Sequence, residues 1–357
     1  MKRNGKTKAG TQRWYCPACL LSTTHKYDNT AKRLEEFLSW LMSKEPQSSM
    51  PGGGRTFRRR TAEFWQLWPQ PPVVDEILRV VYVDGIWIAR GVVVLIACSD
   101  AHVLGWYLAR AESTAAWTAL LSRIAAPDMV VTDGGSGFAA AAAAQWPRSK
   151  VQRCAFHVFC QVKRQTTTRP KLDCGRELYA IAKALLKVKD TGAAATWLAS
   201  YAEWCSKWDA FLKEYTFIEG KKEYTHQRLR KARGGIGKVL RQGCMFTYLD
   251  DDLTREGPLP SMNNMIEGGV NAQLRHVLQE HRGMSTIHRI KAVFWWCYLH
   301  CEYQLPPARM LRIMPTDEDI ERMYTLAAHS KEGTQNLPGW GDVAVWSEFH
   351  AAIPWRQ

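Results

Sequence analysis

Between Leu78 and Ala111 the chain reads LRVVYVDGIWI, GVVVLIACSD and HVLGWYLARA, three β-branched or aromatic runs parted by short turns. Such runs suit pleated, buried strands, so they set the frame of the fold as a meander of three antiparallel strands. Ser113 and Thr114 can cap a helix that runs through Ile124. MVVTDGG, from Met129, reads as another short strand. An alanine-rich helix follows from Gly137 to Trp146, and KVQRCAFHVFC reads as a fifth strand running into a helix. The result is an α/β domain.

The order strand, strand, strand, helix, strand, helix, strand is that of an RNase H-like fold, although other α/β domains approximate it. The chain is 357 residues long, so two or three domains are expected, and sixteen tryptophans supply ample core material. No apolar run approaches the ~20 residues that a membrane span needs. The basic N-terminal MKRNGKTKAGTQRW has no apolar segment behind it, so it is not a secretory signal. A soluble, cytoplasmic protein is expected, and its ten cysteines are expected to be reduced thiols.

The net charge is +14 and the isoelectric point near 9.4. Lysine and arginine displace condensed counterions from a phosphate backbone, so the surplus points to a polyanionic partner; the blander reading is a solubilising surface. The excess is uneven: about +8 before Pro72 and about +10 between Cys160 and Met245, with the strand region close to neutral.

Before the strands, a helical pattern runs from Asn29 to Lys44, with Leu34, Phe37, Leu38 and Leu41 at helical spacing. The turn PQSSMPGGG follows, and then RTFRRRTAEFWQLW as a second helix. Helix, glycine turn and basic helix fit a helix-turn-helix, with Arg55, Arg58, Arg59 and Arg60 as candidate DNA contacts; a basic linker and helix that reads no bases fits nearly as well. PQPP, residues 69 to 72, marks a domain boundary. Residues 165 to about 255 read almost wholly as helix. Trp197, Tyr201, Trp204 and Trp208 recur there three or four apart, most simply as a core stripe. The tail from Leu305 ends in Trp346, Phe349 and Trp355, which are expected to pack back on the body.

Asp84 and Asp133 each close an apolar strand and are each followed by glycine, in YVDG and VTDGG. Strand-ending positions of this kind converge at one sheet edge, and glycine there lets a bulky substrate backbone approach. Either motif alone is equally an ordinary Asp-Gly turn. Glu267 lies in NNMIEGGVN, with Asn263, Glu267 and Asn271 four apart on one helix face and Arg275 next in line. Three carboxylates brought together repel one another unless cations neutralise them, and hard oxygen ligands suit Mg2+ or Mn2+. Two such ions support phosphoryl transfer. Cys154 and His157, three apart, could bind a soft metal, but two ligands do not complete a tetrahedral site. Cys16 and Cys19 form a single zinc knuckle where a ribbon needs two.

YVDGIW, VVTDGG, RCAFH and NNMIEGGVNAQLRHVLQEHRG, in this order, resemble the Mutator-like transposases, especially a bacterial insertion-sequence branch. The resemblance runs from about Val80 to Trp346 and includes FWWCYLHCE and GW-GDVAVWSEFH. It implies a DDE transposase whose catalytic, metal-binding set is Asp84, Asp133 and Glu267 in an RNase H-like domain. It also implies an all-helical insertion before the glutamate and two Mg2+ or Mn2+ ions. Further implications are binding to the terminal inverted repeats, cleavage there, and attack of the freed 3′-hydroxyl on target DNA. The partners would be double-stranded transposon ends and target, with a homodimer or higher oligomer assembled on nucleoid DNA. The family's Cys-x-x-His pair matches Cys154 and His157, expected to order the corner near the carboxylates. NGK…AGTQRWYCPAC looks like the second half of the family's zinc ribbon, so either the true start lies upstream or the first knuckle is lost. Zinc binding at Cys16 and Cys19 is therefore expected to be weak or absent.

The expected domains are a partial zinc ribbon (1–28), a helix-turn-helix region (29–72), the first part of the catalytic core (73–164), an all-helical insertion (165–258), Glu-bearing core helices (259–304) and a tail (305–357). Two rival readings stand beside the transposase: another RNase H-fold nuclease of resolvase type, and a decayed or repurposed copy that only binds DNA.

Overall fold

The computed structural model describes residues 1–25 and 28–329. The chain divides into two compact units, Met1–Leu67 with Leu305–Met314, and Trp68–Gln304 with Pro315–Gln357. Trp346, Phe349 and Trp355 lie outside the described residues.

The first unit begins with a three-stranded antiparallel sheet, β1 (Lys2–Lys6), β2 (Gln12–Tyr15) and β3 (Ser22–Thr24), ordered β1-β2-β3. Helix α1 (Thr30–Leu41) buries Leu34, Phe37, Leu38, Trp40 and Leu41, the apolar stripe expected from its spacing. Gly52 and Gly53, at φ +83° and +75°, turn the chain into α2 (Gly53–Thr61). Phe57 of α2 meets Trp40 edge-on at 5.2 Å. The second helix is shorter than expected: after Thr61 it tightens into a 3-10 stretch, Ala62–Gln66, which brings Phe64 onto Phe37 at 5.8 Å. The unit closes at Leu67, short of PQPP, and regains residues 305–314 from the expected tail.

In the second unit a five-stranded sheet forms from β4 (Val80–Ala89), β5 (Val92–Cys98), β6 (Val103–Ala109), β7 (Met129–Thr132) and β8 (Lys150–Arg153), ordered β6-β5-β4-β7-β8. The first three are antiparallel, and β7 and β8 join in parallel. The parallel joins need crossovers, supplied by α3 (Thr114–Leu121) and α4 (Ser136–Gln145). Ser113 caps α3 through Ala116 N, as expected, though the helix stops at Leu121. β5 and β6 are buried at every position, because both faces are covered. On one face Val81, Val93, Leu95 and Tyr107 pack with Trp117, Phe138 and Trp146 from α3, α4 and the residue after it. On the other, Phe294 lies against Trp106 at 5.9 Å.

From β8 the chain enters α5 (Ala155–Thr166), then α6 (Asp173–Leu185), α7 (Thr191–Lys207), α8 (Asp209–Leu212), β9 (Tyr215–Ile218), β10 (Lys221–Tyr224), α9 (Gln227–Arg241) and α10 (Asp251–Thr254). This region is not wholly helical. β9 and β10 form an antiparallel hairpin closed by Glu219 and Gly220, both at positive φ, as a two-residue turn requires. α5, α6, α7 and α9 share one core with Trp197, Tyr201 and Trp204, whose rings stack in sequence at 5.6 and 6.3 Å. The aromatic stripe is therefore core, with Trp208 partly buried at its end. A π-helical turn, Met265–Val270, then leads through α11 (Asn271–Glu280) to α12 (Thr286–Leu299), α13 (Pro307–Ile313, in the first unit) and α14 (Asp317–His329).

No helix among the described residues is long and apolar enough to cross a membrane. One buried charge was not foreseen. Lys291 of α12, 1% exposed at its side chain, pairs with Asp317 at 2.5 Å and faces the Trp68 ring at 4.6 Å. Burial pulls its ammonium down to about 8, against the attraction of Asp317.

Candidate functional site

β4 pairs with β7 in parallel at Val81↔Val130 and Tyr82↔Val131. The same register, carried two residues further, sets Asp84 level with Asp133. Asp133 stands just past the end of β7, as expected. Asp84 does not end its strand: it lies inside β4, opposite Ile96 of β5, where the parallel ladder has stopped and only the antiparallel one continues. One side of Asp84 is thereby left open to the residues after β7.

Both oxygens of Asp84 are held. Oδ1 accepts the Gly85 amide at 2.9 Å, and Oδ2 accepts Nδ2 of Asn271 at 2.7 Å. Burial pushes its carboxyl up to about 7, opposed by the Gly85 amide and reinforced by the charges of Asp133 and Glu267. The charges of Asp133 and Glu267 therefore both reach Asp84. Asp133 Oδ1 accepts the Gly135 amide at 3.1 Å.

The glycines beside the two aspartates do something other than admit substrate. At Gly134, φ +85°, a Cβ would fall 0.9 Å from Nη1 of Arg153. At Gly85 a Cβ would lie 2.8 Å from Oε1 of Glu112. The space is already taken, by a guanidinium in one case and a carboxylate in the other. Glu112 is a fourth acid that sequence reasoning missed. Its Oε1 accepts from Trp87 Nε1 at 3.1 Å, and burial together with the charge of Asp133 raises its pKa. Its only sequence signal was an acidic residue beside the Ser113 cap, which reads as ordinary helix-start chemistry.

Glu267 lies in the π-helical turn. A repeat of four residues drifts forward on an α-helix of 3.6 per turn, and one wider turn cancels that drift. Asn263 and Asn271 are fully buried and face β4, with Asn263 Nδ2 donating to Val83 O at 3.1 Å. The polar stripe is thus a buried clamp on the strand carrying Asp84, while Arg275 is exposed and falls out of the row. The expected plain helix is corrected in this respect: GluGlyGly adopts the wide turn that keeps the three polar side chains in register.

Cys154 and His157 meet Glu267. His157 Nδ1 lies 3.0 Å from Glu267 Oε1, off the line of a hydrogen bond, and Cys154 Sγ lies 3.9 Å from the same oxygen. Sγ of Cys154 also accepts the Asn263 amide at 3.3 Å. Contact with the Cys154 thiol and with Glu267 holds the His157 ring above its ordinary pKa, in spite of burial. Among the described residues, Cys154, His157 and Glu267 are the group of three donors that fall within 4.8 Å of one another, and the three carboxylates do not meet that distance together. Cys160 is partly buried against the helical core.

Elsewhere, Arg55, Arg58 and Arg59 are exposed on α2, whereas Arg60 is paired with Glu36 at 3.0 Å. Arginines between Lys221 and Gly235, a basic stretch, are partly spent inside the fold: Arg233 pairs with Asp209 at 2.9 Å, and Arg230 donates to Leu212 O at 2.9 Å. In the first unit the Cys19 amide and thiol and the Ala18 amide point at the Cys16 sulfur and lower its pKa. No third Cys, His, Asp or Glu donor joins Cys16 and Cys19 among the described residues.

A mixed sheet, flanked by helices and carrying half-buried acids where its parallel ladder ends, defines an α/β protein with an acidic centre. Residues 76–229 match the model of the Mutator family of transposases. The matched span carries Asp84, Asp133, Cys154 and His157 but ends before Glu267. No curated protein matches the chain.

Proposed function

We propose that the chain is a metal-dependent DDE transposase of the bacterial insertion-sequence branch, built on an RNase H-like core. In this reading it binds double-stranded terminal repeats, cuts at them, and joins the freed 3′ ends to target DNA as an oligomer. The observation that carries it is the burial of Asp84 against Asp133 and Glu267, which leaves a carboxyl near pKa 7 where a cation would relieve the repulsion.

The donor set fits hard divalent ions, since Asp84, Asp133 and Glu267 offer carboxylate oxygens already aimed by neighbours. When bound there, Mg2+ or Mn2+ would supply Lewis acidity toward a phosphate. The chain's own residues do the rest. Asn271 and the Gly85 amide fix the Asp84 carboxylate, and Asn263 ties the Glu267 turn to β4. His157 places a positive ring beside Glu267, which partly balances the acids before a metal arrives. Arg55, Arg58 and Arg59 are exposed where they can meet phosphates, positioning DNA without reading its sequence.

Cys154, His157 and Glu267 favour a second reading, a single soft-metal site, because sulfur, nitrogen and oxygen donors converge there. The two are separated by incubating the chain with end-bearing DNA and either Mg2+ or Mn2+. Strand joining that disappears in Asp84→Asn and in Glu267→Gln supports the three-acid reading. Nicking that persists in both variants contradicts it.

A further inference from the structure

Beside Asp133, with Thr132, Gly134 and Arg153 in its lining, a cleft of about 500 Å3 lies between α4 and α9. Its α4 wall is apolar, formed by Ala139 and Ala143 with Trp146 behind them. Lys238 of α9 faces that wall, and Ser136, first residue of the ten-residue α4, stands at one end.

Arg153 lines the same cleft and is only 9% exposed. Its Nε has no hydrogen-bond partner. The charge of Asp133 already favours this guanidinium, but a buried Nε–H without an acceptor is costly, so an acceptor that arrives with a ligand would satisfy it. The positive end of α4 and the ammonium of Lys238 favour the same sign of ligand. A free inorganic anion would leave the apolar wall unused, and an apolar ligand would leave Arg153 unpaired. A cleft of this volume accommodates a small ligand with both characters.

We propose that this cleft receives one nucleotide unit of a DNA strand, its phosphate on Arg153 and Lys238 and its base against Ala139, Ala143 and Trp146. The proposal rests on the reading of the chain as a protein that acts on DNA. It adds a holding point for the strand beside the acids, reached by drawing one nucleotide out of its stack.

The test is photocrosslinking of the full-length chain, without divalent metal, to a short single-stranded oligonucleotide containing 4-thiothymidine, with crosslinked peptides mapped by mass spectrometry. The expected crosslinks fall within residues 136–147 or 235–244. They drop at least tenfold in Ala143→Trp, which fills the cleft from an exposed helix position, and in Lys238→Gln, while crosslinks elsewhere stay. Free dTMP competes more than tenfold less well than an unlabelled oligonucleotide. Absence of crosslinks in these segments, yields unchanged in both variants, or equal competition by dTMP overturns the proposal. The assay needs no cleavage, so the two readings fail separately. A chain that crosslinks here but cuts no DNA keeps the cleft and loses the catalytic assignment. A chain that cuts DNA but shows no crosslink here loses the cleft alone.

Discussion

Asn271 donates to Oδ2 of Asp84 at 2.7 Å, joining the helix that follows the π turn to a strand 187 positions earlier in the chain. Asn271 is fully buried and its own Oδ1 has no partner, so the side chain is committed to this one task. Asn271→Leu keeps the branching of the side chain and removes the donor. The expected result is a folded chain whose DNA-nicking rate falls about 10- to 100-fold, the usual effect of losing a partner that orients a ligating group. An unchanged rate would contradict the positioning role.

Under the proposed function, metal binding and pH should be linked through Asp84. Its folded pKa, about 7, lies above its ordinary value of 3.8, so the folded chain binds the extra proton between those two pH values. Its contribution to stability is therefore complete below about pH 4 and lost as pH rises through 7, on the order of 4 kcal/mol in all. A cation restores what the proton supplied. The rise in Tm produced by Mg2+ or Mn2+ should accordingly grow from pH 5 to pH 8 in the wild type and flatten in Asp84→Asn. A metal-induced shift that is constant across that range would count against the coupling.

Gly134→Ala asks one methyl to share space with Nη1 of Arg153, at a backbone φ of +85°. Both the strain and the clash act in the same direction, so destabilisation of roughly 2 kcal/mol or more is expected, read as a fall in denaturant midpoint. Gly91→Ala, also at positive φ but with nothing within 4 Å of its Cβ, isolates the backbone part and should cost less.

Lys291 and Asp317 should respond unequally. Asp317→Asn weakens the charge partner of an ammonium that is fully enclosed and is expected to cost about 3 kcal/mol. Lys291→Met leaves an aspartate that is one-third exposed and still accepts from Trp68 Nε1 at 2.7 Å, so its cost is smaller. Thermal denaturation of the two variants side by side decides the order.

Much of the second unit was legible because its signals are local. The runs at Val80, Val92 and Val103 could only be strands, and the SerThr cap announced α3. Asp133 was correctly placed at its strand end. Asp84 was not, because an antiparallel partner continues past it, and pairing partners are not written in a strand's own residues. The β9–β10 hairpin hid inside helical surroundings because Glu219–Gly220 is a turn of two residues only. Glu112 and Arg153 were missed for a common reason: each reaches the site through space vacated by a glycine, Gly85 or Gly134, distant in sequence or reached only after the strand crossover. The regular spacing of Asn263, Glu267 and Asn271 was visible, but the π turn that keeps it in line, and the burial that makes it a clamp, depend on β4.

The central claim is that Asp84, Asp133 and Glu267 together hold divalent cations. Manganese anomalous scattering from crystals of the chain grown with Mn2+ and DNA tests it most directly. The expected result is manganese density held by Asp84, Asp133 and Glu267 and lost in Asp84→Asn. A single peak held by Cys154, His157 and Glu267, with none at Asp84, would contradict it.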